Sequence, residues 1–176
     1  MTEFNLDDFV ESVKARAADG ATAGDIIAIM KEVFEDPQAL ASGLPAFKED
    51  DTVIFEDETV SIWHVRFPPN ERVPPHDHQI PVVIGVYSGT ENNMLYREGV
   101  NGLEYVKTRN ISPGEVFSIG PAGIHAVEPA NGEDCRGIHI YLGELTKVKR
   151  NLFHPDTGEK MEFTTENYDN LVRQLQ

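Results

Sequence analysis

The chain reads as a mainly β protein, a β sandwich or barrel preceded by helices, on three observations. Short apolar–polar alternations of period two recur from about residue 52 onward. Turn-forming clusters such as Pro68-Pro69-Asn70, Ser112-Pro113-Gly114 and Asn131-Gly132 punctuate them. The first 47 residues carry helix-period stripes ahead of the strands, which fits one β domain with an N-terminal helical cover.

In order along the chain, Asn5 caps a first helix with Asp8 in its first turn. Phe9, Val10 and Val13 form its apolar stripe, and Gly20 stops it. A second helix over 23–35 carries Ile26, Ile27, Met30, Val33 and Phe34 at helical spacing. Asp36-Pro37 pairs a cap with a first-turn proline and opens a short third helix that ends near Gly43. These stripes are packing surfaces rather than a cofactor box. Strands are predicted over 52–56, 60–67, 82–87, 92–97, 103–108, 115–119 and 136–142. The tail after Thr146 is polar and mixed, with a terminal helix over 166–175. The organisation expected is a helical segment over 1–50, a barrel over 51–146 and a C-terminal extension over 147–176.

A formal charge of −15, with no Lys/Arg cluster large enough to offset it, argues against a general phosphate-backbone-binding surface, so no nucleic-acid partner is expected. No apolar run approaches the ~18–20 residues that span a bilayer, and the acidic start has no signal-peptide pattern. The expectation is a cytoplasmic protein with no membrane partner. The single cysteine, Cys135, allows no intrachain disulfide and reads as a small buried hydrophobe.

His76-Asp77-His78, just after Pro74-Pro75, carries the chemistry. Two imidazoles separated by one residue point to one side of a strand, and Asp77 points to the other. His125, in Gly120-Pro121-Ala122-Gly123-Ile124-His125, completes a facial set of three nitrogens. Three protein ligands with vacant positions mark catalytic rather than closed structural metal sites. Imidazole suits Fe, Ni, Cu and Zn alike, so the donor set leaves the metal open.

The stretch from Pro75 to Gly89 resembles the first motif of the cupins, small double-stranded β-helix barrels of jelly-roll type, with Gly89 at the glycine position. Gly114 through His125 resembles the second motif, with its eleven-residue interval from glycine to histidine kept. Its inner Pro and Gly are displaced by one residue, to Pro121 and Gly123, and Pro129 stands at its asparagine position. Val82 falls where the ligand glutamate of that family usually stands, which leaves a neutral three-histidine set.

That pattern is similar to the thiol dioxygenases among the cupins, the cysteine and 3-mercaptopropionate dioxygenases. Gly137-Ile138-His139-Ile140-Tyr141 resembles their Ser-His-Tyr triad, with Gly137 in place of the serine. Val83 lies near the position of the crosslinking cysteine of the animal enzymes, so no such crosslink can form there. The resemblance covers roughly residues 60–145. It implies Fe(II) held by His76, His78 and His125, although Ni, Zn or Cu could take the same donors, with O2 and a small thiol as substrates and a sulfinate as product. It makes Tyr141 and His139 the catalytic pair, with Tyr141 also touching substrate. Family members pair through barrel edges or N-terminal segments, so a homodimer is compatible with the chain.

A carboxylate-bearing thiol needs a cation able to make two hydrogen bonds, and Arg66 is the candidate, with Arg97 and Arg109 weaker. Ile62, His64 and Arg66 share one strand face, and Trp63, Val65 and Phe67 share the other. His64 is read as structural or solvent-facing, His154 as a surface residue, and Tyr87, Tyr96 and Phe117 as barrel wall. Two other functions remain open. One is a three-histidine dioxygenase cleaving a small diketone or enol. The other is a non-enzymatic cupin that binds a metal or small molecule.

Overall fold

A computed structural model describes residues 4–174 of the chain. Three helices come first: α1 (Leu6–Ala18), α2 (Ala23–Phe34) and α3 (Pro37–Gly43). Each starts on a side-chain cap. Asp8 N donates to Asn5 Oδ1 (3.0 Å), Ala39 N donates to Asp36 Oδ1 (2.9 Å), and Thr22 with Asp25 closes a capping box at the head of α2.

Nine strands follow: β1 (Asp51–Glu56), β2 (Ser61–Phe67), β3 (Glu71–His76), β4 (Val82–Ser88), β5 (Glu91–Gly99), β6 (Gly102–Ile111), β7 (Val116–Ile119), β8 (Ile124–Pro129) and β9 (Cys135–Tyr141). A 3-10 turn (Leu145–Lys147) leads to β10 (Asn151–Phe153), β11 (Lys160–Glu162), α4 (Thr165–Leu171) and β12 (Arg173–Gln174). The helix expected over 166–175 is thus the shorter α4, and Leu175 lies outside the described residues.

One sheet has the order β1-β2-β9-β4-β7. The other runs β11-β10-β3-β8-β5-β6, with β12 also paired to β3. Every pairing is antiparallel, and strands distant in sequence alternate within each sheet. This is a mainly β double-stranded β-helix of jelly-roll strand order, with its helices at the N-terminus.

The helices cover the outer face of the first sheet. Ile26, Met30 and Phe34 of α2 pack with Ile62, Val83, Ile138 and Ile140, all fully buried. Gly85 permits this approach: a Cβ there would lie 2.6 Å from Phe34 Cζ and 2.7 Å from Met30 Cε. The alternate residues of the same strands, Val82, Ile84, Tyr141 and Trp63, line the barrel interior.

The histidine spacing places His76 and His78 on one strand, but the strands delimited from the sequence include neither β3 nor β8, and β3 ends at His76, short of His78. Pro74 and Pro75 make β3 look like a loop, since proline cannot donate to a ladder. The β3–β8 pairing accommodates them with an irregularity between Val73 and His76. The C-terminal segment also joins the second sheet, where Leu152 of β10 pairs with His76. Among the described residues, no helix is long and apolar enough to cross a membrane.

Candidate metal centre

β3 delivers His76 at its last residue, and β8 delivers His125 directly opposite in register. His78 lies two residues past the strand end, just before Gln79, whose positive φ of 58° turns the chain away. The three rings converge. Centroids are 4.9 Å apart for His76–His78, 4.5 Å for His76–His125 and 5.0 Å for His78–His125. One ring nitrogen from each lies within 4.8 Å of the others, and all three residues are buried.

Their hydrogen bonds leave lone pairs free for a cation. His76 Nδ1 donates to Pro74 O (2.9 Å), and His125 Nδ1 donates to Asn93 Oδ1 (2.6 Å). His125 Nε2 is buried with no partner, as is His78 Nδ1. Burial holds all three imidazoles neutral. It lowers the pKa of His76 to about 4, with the Pro74 carbonyl working against it, and depresses His78 and His125 well below the usual value. Neutral, convergent, orphaned nitrogens fit a metal ion and fit nothing apolar.

No carboxylate joins the cluster among the described residues. Val82 is fully buried against Tyr141 in the barrel interior. Asp77 turns away, as its position between the two histidines implies. It accepts from Asn151 N (2.9 Å), Asn151 Nδ2 (2.7 Å) and Gln79 Nε2 (2.7 Å), which pins the C-terminal segment to the barrel.

The histidines open into a cavity of about 350 Å³. Trp63, Phe67, Leu145 and Phe163 give it apolar walls, and His139, Tyr141, Arg150 and Tyr168 supply polar atoms, with the carboxylates of Asp51 and Asp169 also in its lining. His139 and Tyr141 share the inner face of β9, as their spacing implies. Tyr141 Oη lies 3.5 Å from His139 Nδ1, and the Tyr141 ring lies 5.3 Å from that of His78. Burial pushes the Tyr141 phenol pKa up, so it stays a hydroxyl.

Arg66 is not brought to this cavity. β2 pairs with β9 so that Trp63 opposes His139 and Arg66 opposes Arg136. Trp63, Val65 and Phe67 therefore face the histidines, and His64 and Arg66 face outward. Arg66 donates instead to Asp50 (2.7 Å) and Asp134 (3.0 Å). His64 is buried on that outer face, stacked on Phe47 with centroids 4.0 Å apart and 2.8 Å from the Tyr87 hydroxyl. Arg97 is held by Glu104 at the surface, and Arg109 lies over the Phe117 ring.

The arginine in the cavity is Arg150, which the sequence did not single out. Its guanidinium lies 3.9 Å over the Phe163 ring, whose edge meets His76 at 5.7 Å. Among the described residues no carboxylate is hydrogen-bonded to it, while Tyr141, Asp51 and Asp77 favour its charge from a distance. Nothing in Lys147-Val148-Lys149-Arg150 distinguishes one cation from its neighbours. Non-local contacts hold Arg150 in the cavity: Asn151 docks on Asp77, and Phe163 N donates to Arg150 O (2.9 Å). Glu91 and Asn93 were missed as well, because Glu91-Asn92-Asn93 looks like polar edge strand. Their alternation could have placed both on one face. Cys135 is buried, and burial raises its thiol pKa, which suits a hydrophobe rather than a nucleophile.

No protein-family model matches this chain. Among solved structures, it is similar to an RmlC-like cupin family protein from Methanocaldococcus jannaschii (17% identity, 59% of this chain and 93% of that one, TM-score 0.48). It is similar to a cupin superfamily protein from Desulfitobacterium hafniense (17% identity, 60% and 88%, TM-score 0.46). It is also similar to the DMSP lyase DddQ from Ruegeria pomeroyi (17% identity, 57% of this chain, TM-score 0.46), of whose length it spans only 46%. The chain is a mainly β double-stranded β-helix with N-terminal helices that holds a buried three-histidine cluster fit for a metal ion.

Proposed function

We propose that this chain is an iron-dependent dioxygenase that converts a small carboxylate-bearing thiol to its sulfinate with O2. The observation that carries the reading is a buried, carboxylate-free cluster of three imidazoles opening on a cavity with one arginine. His76, His78 and His125 would hold the ion. Fe(II) bound by neutral ligands keeps its full charge, favours an anionic sulfur ligand, and supplies the redox chemistry that lets O2 react with it. In the overall reaction the S–H and O–O bonds break and two S–O bonds form. Sulfur loses the four electrons that oxygen gains, and one proton is released.

The chain's own residues bind and orient. Arg150, stacked on Phe163, offers two parallel N–H donors to the substrate carboxylate. Tyr141 holds a hydroxyl proton beside His78, and His139 Nδ1 stands behind it as acceptor. Trp63, Phe67 and Phe163 exclude water and strengthen these contacts. The same apolar walls favour a second reading, oxidative cleavage of a small diketone, which has no need of Arg150.

Anaerobic reconstitution with Fe(II), followed by O2 uptake with cysteine, 3-mercaptopropionate, cysteamine and simple diketones, tests both. Uptake with the carboxylate-bearing thiols, and a sulfinate product, is the expected result. Turnover of diketones alone would transfer the assignment to the second reading. No uptake by protein shown to carry iron would leave a non-enzymatic metal-binding cupin.

A further inference from the structure

Glu91, the first residue of β5, has 0% of its surface exposed, yet no cation is paired with it among the described residues other than the imidazole of His139. Two donors converge on its carboxylate. Asn93 Nδ2 donates to Oε1 (2.9 Å), and His139 Nε2 lies 3.3 Å from Oε2. Each of those groups reaches onward to the cavity. The Asn93 carbonyl faces His125 Nδ1 (2.6 Å), and His139 Nδ1 faces the Tyr141 hydroxyl (3.5 Å). The path His125–Asn93–Glu91–His139–Tyr141 thus begins and ends at the wall of the cavity, with Glu91 at its centre.

We propose that Glu91 is a positioning residue that sets the tautomers of His125 and His139 together, tying the metal centre to the Tyr141 pair. The argument is one of donors and acceptors. A carboxylate only accepts, so Asn93 must turn its NH2 toward Glu91 and its carbonyl toward His125. That carbonyl accepts only, so His125 carries its proton on Nδ1 and leaves the buried, partnerless Nε2 free to ligate. The other carboxylate oxygen requires the proton of His139 on Nε2. His139 Nδ1 is then an acceptor, and Tyr141 must donate to it. One anion decides both rings.

The place a triad serine would take, at Gly137, is closed to a side chain: a Cβ there would lie 2.5 Å from Gly85 O and 3.6 Å from His139 Nε2. Glu91 reaches that same nitrogen from the other sheet. It therefore supplies from β5 the orientation that a hydroxyl on β9 cannot.

The inference rests on the metal site and on Tyr141 facing the cavity, and not on which substrate is used. Glu91→Gln is the decisive variant. An amide cannot accept from both neighbours without also presenting its NH2, so either Asn93 flips or His139 changes tautomer. A flipped Asn93 would point NH2 at His125 Nδ1 and drive its proton to the ligating nitrogen.

The test is 15N NMR of histidine-labelled protein, metal-free and after Zn(II) loading, with Zn(II) affinity measured alongside. In the unmutated protein His125 should be protonated on Nδ1 and His139 on Nε2. Glu91→Gln should reverse at least one ring or lower Zn(II) affinity, by roughly 10–100-fold where His125 is the ring affected. Asn93→Ala should disturb His125 and leave His139 as it was. A folded Glu91→Gln protein with both tautomers and Zn(II) affinity unchanged would overturn the proposal. The opposite tautomer on either ring of the unmutated protein would overturn it too, even if no variant folds. None of these readouts needs substrate or O2, so a failure of thiol oxidation leaves them intact.

Discussion

His76 and His125 stand directly opposite one another across the β3–β8 ladder, with ring centroids 4.5 Å apart. Residues opposed in an antiparallel pair bring their Cβ atoms to ~4.5–5.5 Å, close enough for two imidazoles to share one ion. The barrel therefore builds two-thirds of the donor set into its backbone register, and His78 adds the third from the turn.

Removing one of the three donors should then cost more than the ~10–100-fold in affinity that loss of an outer hydrogen-bond partner costs. His125→Ala is expected to lose most bound metal while its far-UV circular dichroism keeps the β signature. Metal content by elemental analysis checks this. Stoichiometric metal retained in a folded His125→Ala protein would contradict the three-histidine assignment.

Arg150 and Arg66 separate a cavity role from a surface one. Hydrogen bonds to charged groups contribute ~1.5–3 kcal/mol, so Arg150→Ala should lower kcat/KM for 3-mercaptopropionate by roughly 10- to 100-fold. Cysteamine, which has no carboxylate, should be little affected. Arg66→Ala should leave kcat/KM unchanged for both and cost about 1 kcal/mol or less of stability, because its ion pairs with Asp50 and Asp134 are partly exposed. Steady-state kinetics on the two variants decide it, and equal losses would place Arg66 at the substrate.

What the sequence made legible follows from which signals are local. Period-two alternation located seven of the strands, and the caps at Asn5 and Asp36 located two helix starts. His76, His78, His125, His139 and Tyr141 were legible because motif spacing and face alternation are local. Arg66 was placed wrongly for want of one non-local fact, that Trp63 rather than Arg66 shares a face with His139 in the β2–β9 register. Ile62 beside Ile138 and Ile140 under α2 is what turns that face outward. Arg150 and Glu91 depend on contacts spanning the chain, Asp77 with Asn151 and Glu91 with His139, and no local pattern announces either.

His64 should make the stability of the fold pH-dependent without involving the metal cluster. Burial against Phe47, with Arg136 nearby, lowers its pKa to about 4 from 6.5. Between those values the unfolded chain takes up a proton that the folded one refuses, so stability falls as pH drops from about 6.5 toward 4. Below about 4 both states are protonated and this contribution levels off. Urea unfolding of the metal-free protein at several pH values, compared with His64→Phe, measures it. The variant should show a shallower loss across that window. An identical pH dependence in both would mean that His64 takes up its proton as readily in the folded protein as in the unfolded chain, and would overturn its burial-lowered pKa.

Gly137→Ser supplies the last expected outcome, since it restores the hydroxyl that the family resemblance leads one to look for. β9 lies between β2 and β4, and a Cβ at 137 would come within 2.5 Å of the Gly85 carbonyl oxygen, a backbone atom held in the β4–β9 ladder. That atom cannot move aside as a flexible side chain could, so the ladder itself must shift. Overpacking of this kind costs typically ~1–3 kcal/mol. A serine hydroxyl would also compete with Glu91 for His139 Nε2, which already lies 3.3 Å from the carboxylate. Gly137→Ser should therefore melt at a lower temperature and show no gain in turnover. A variant as stable as the parent, with faster thiol oxidation, would mean that the hydroxyl has room and that Glu91 does not hold His139.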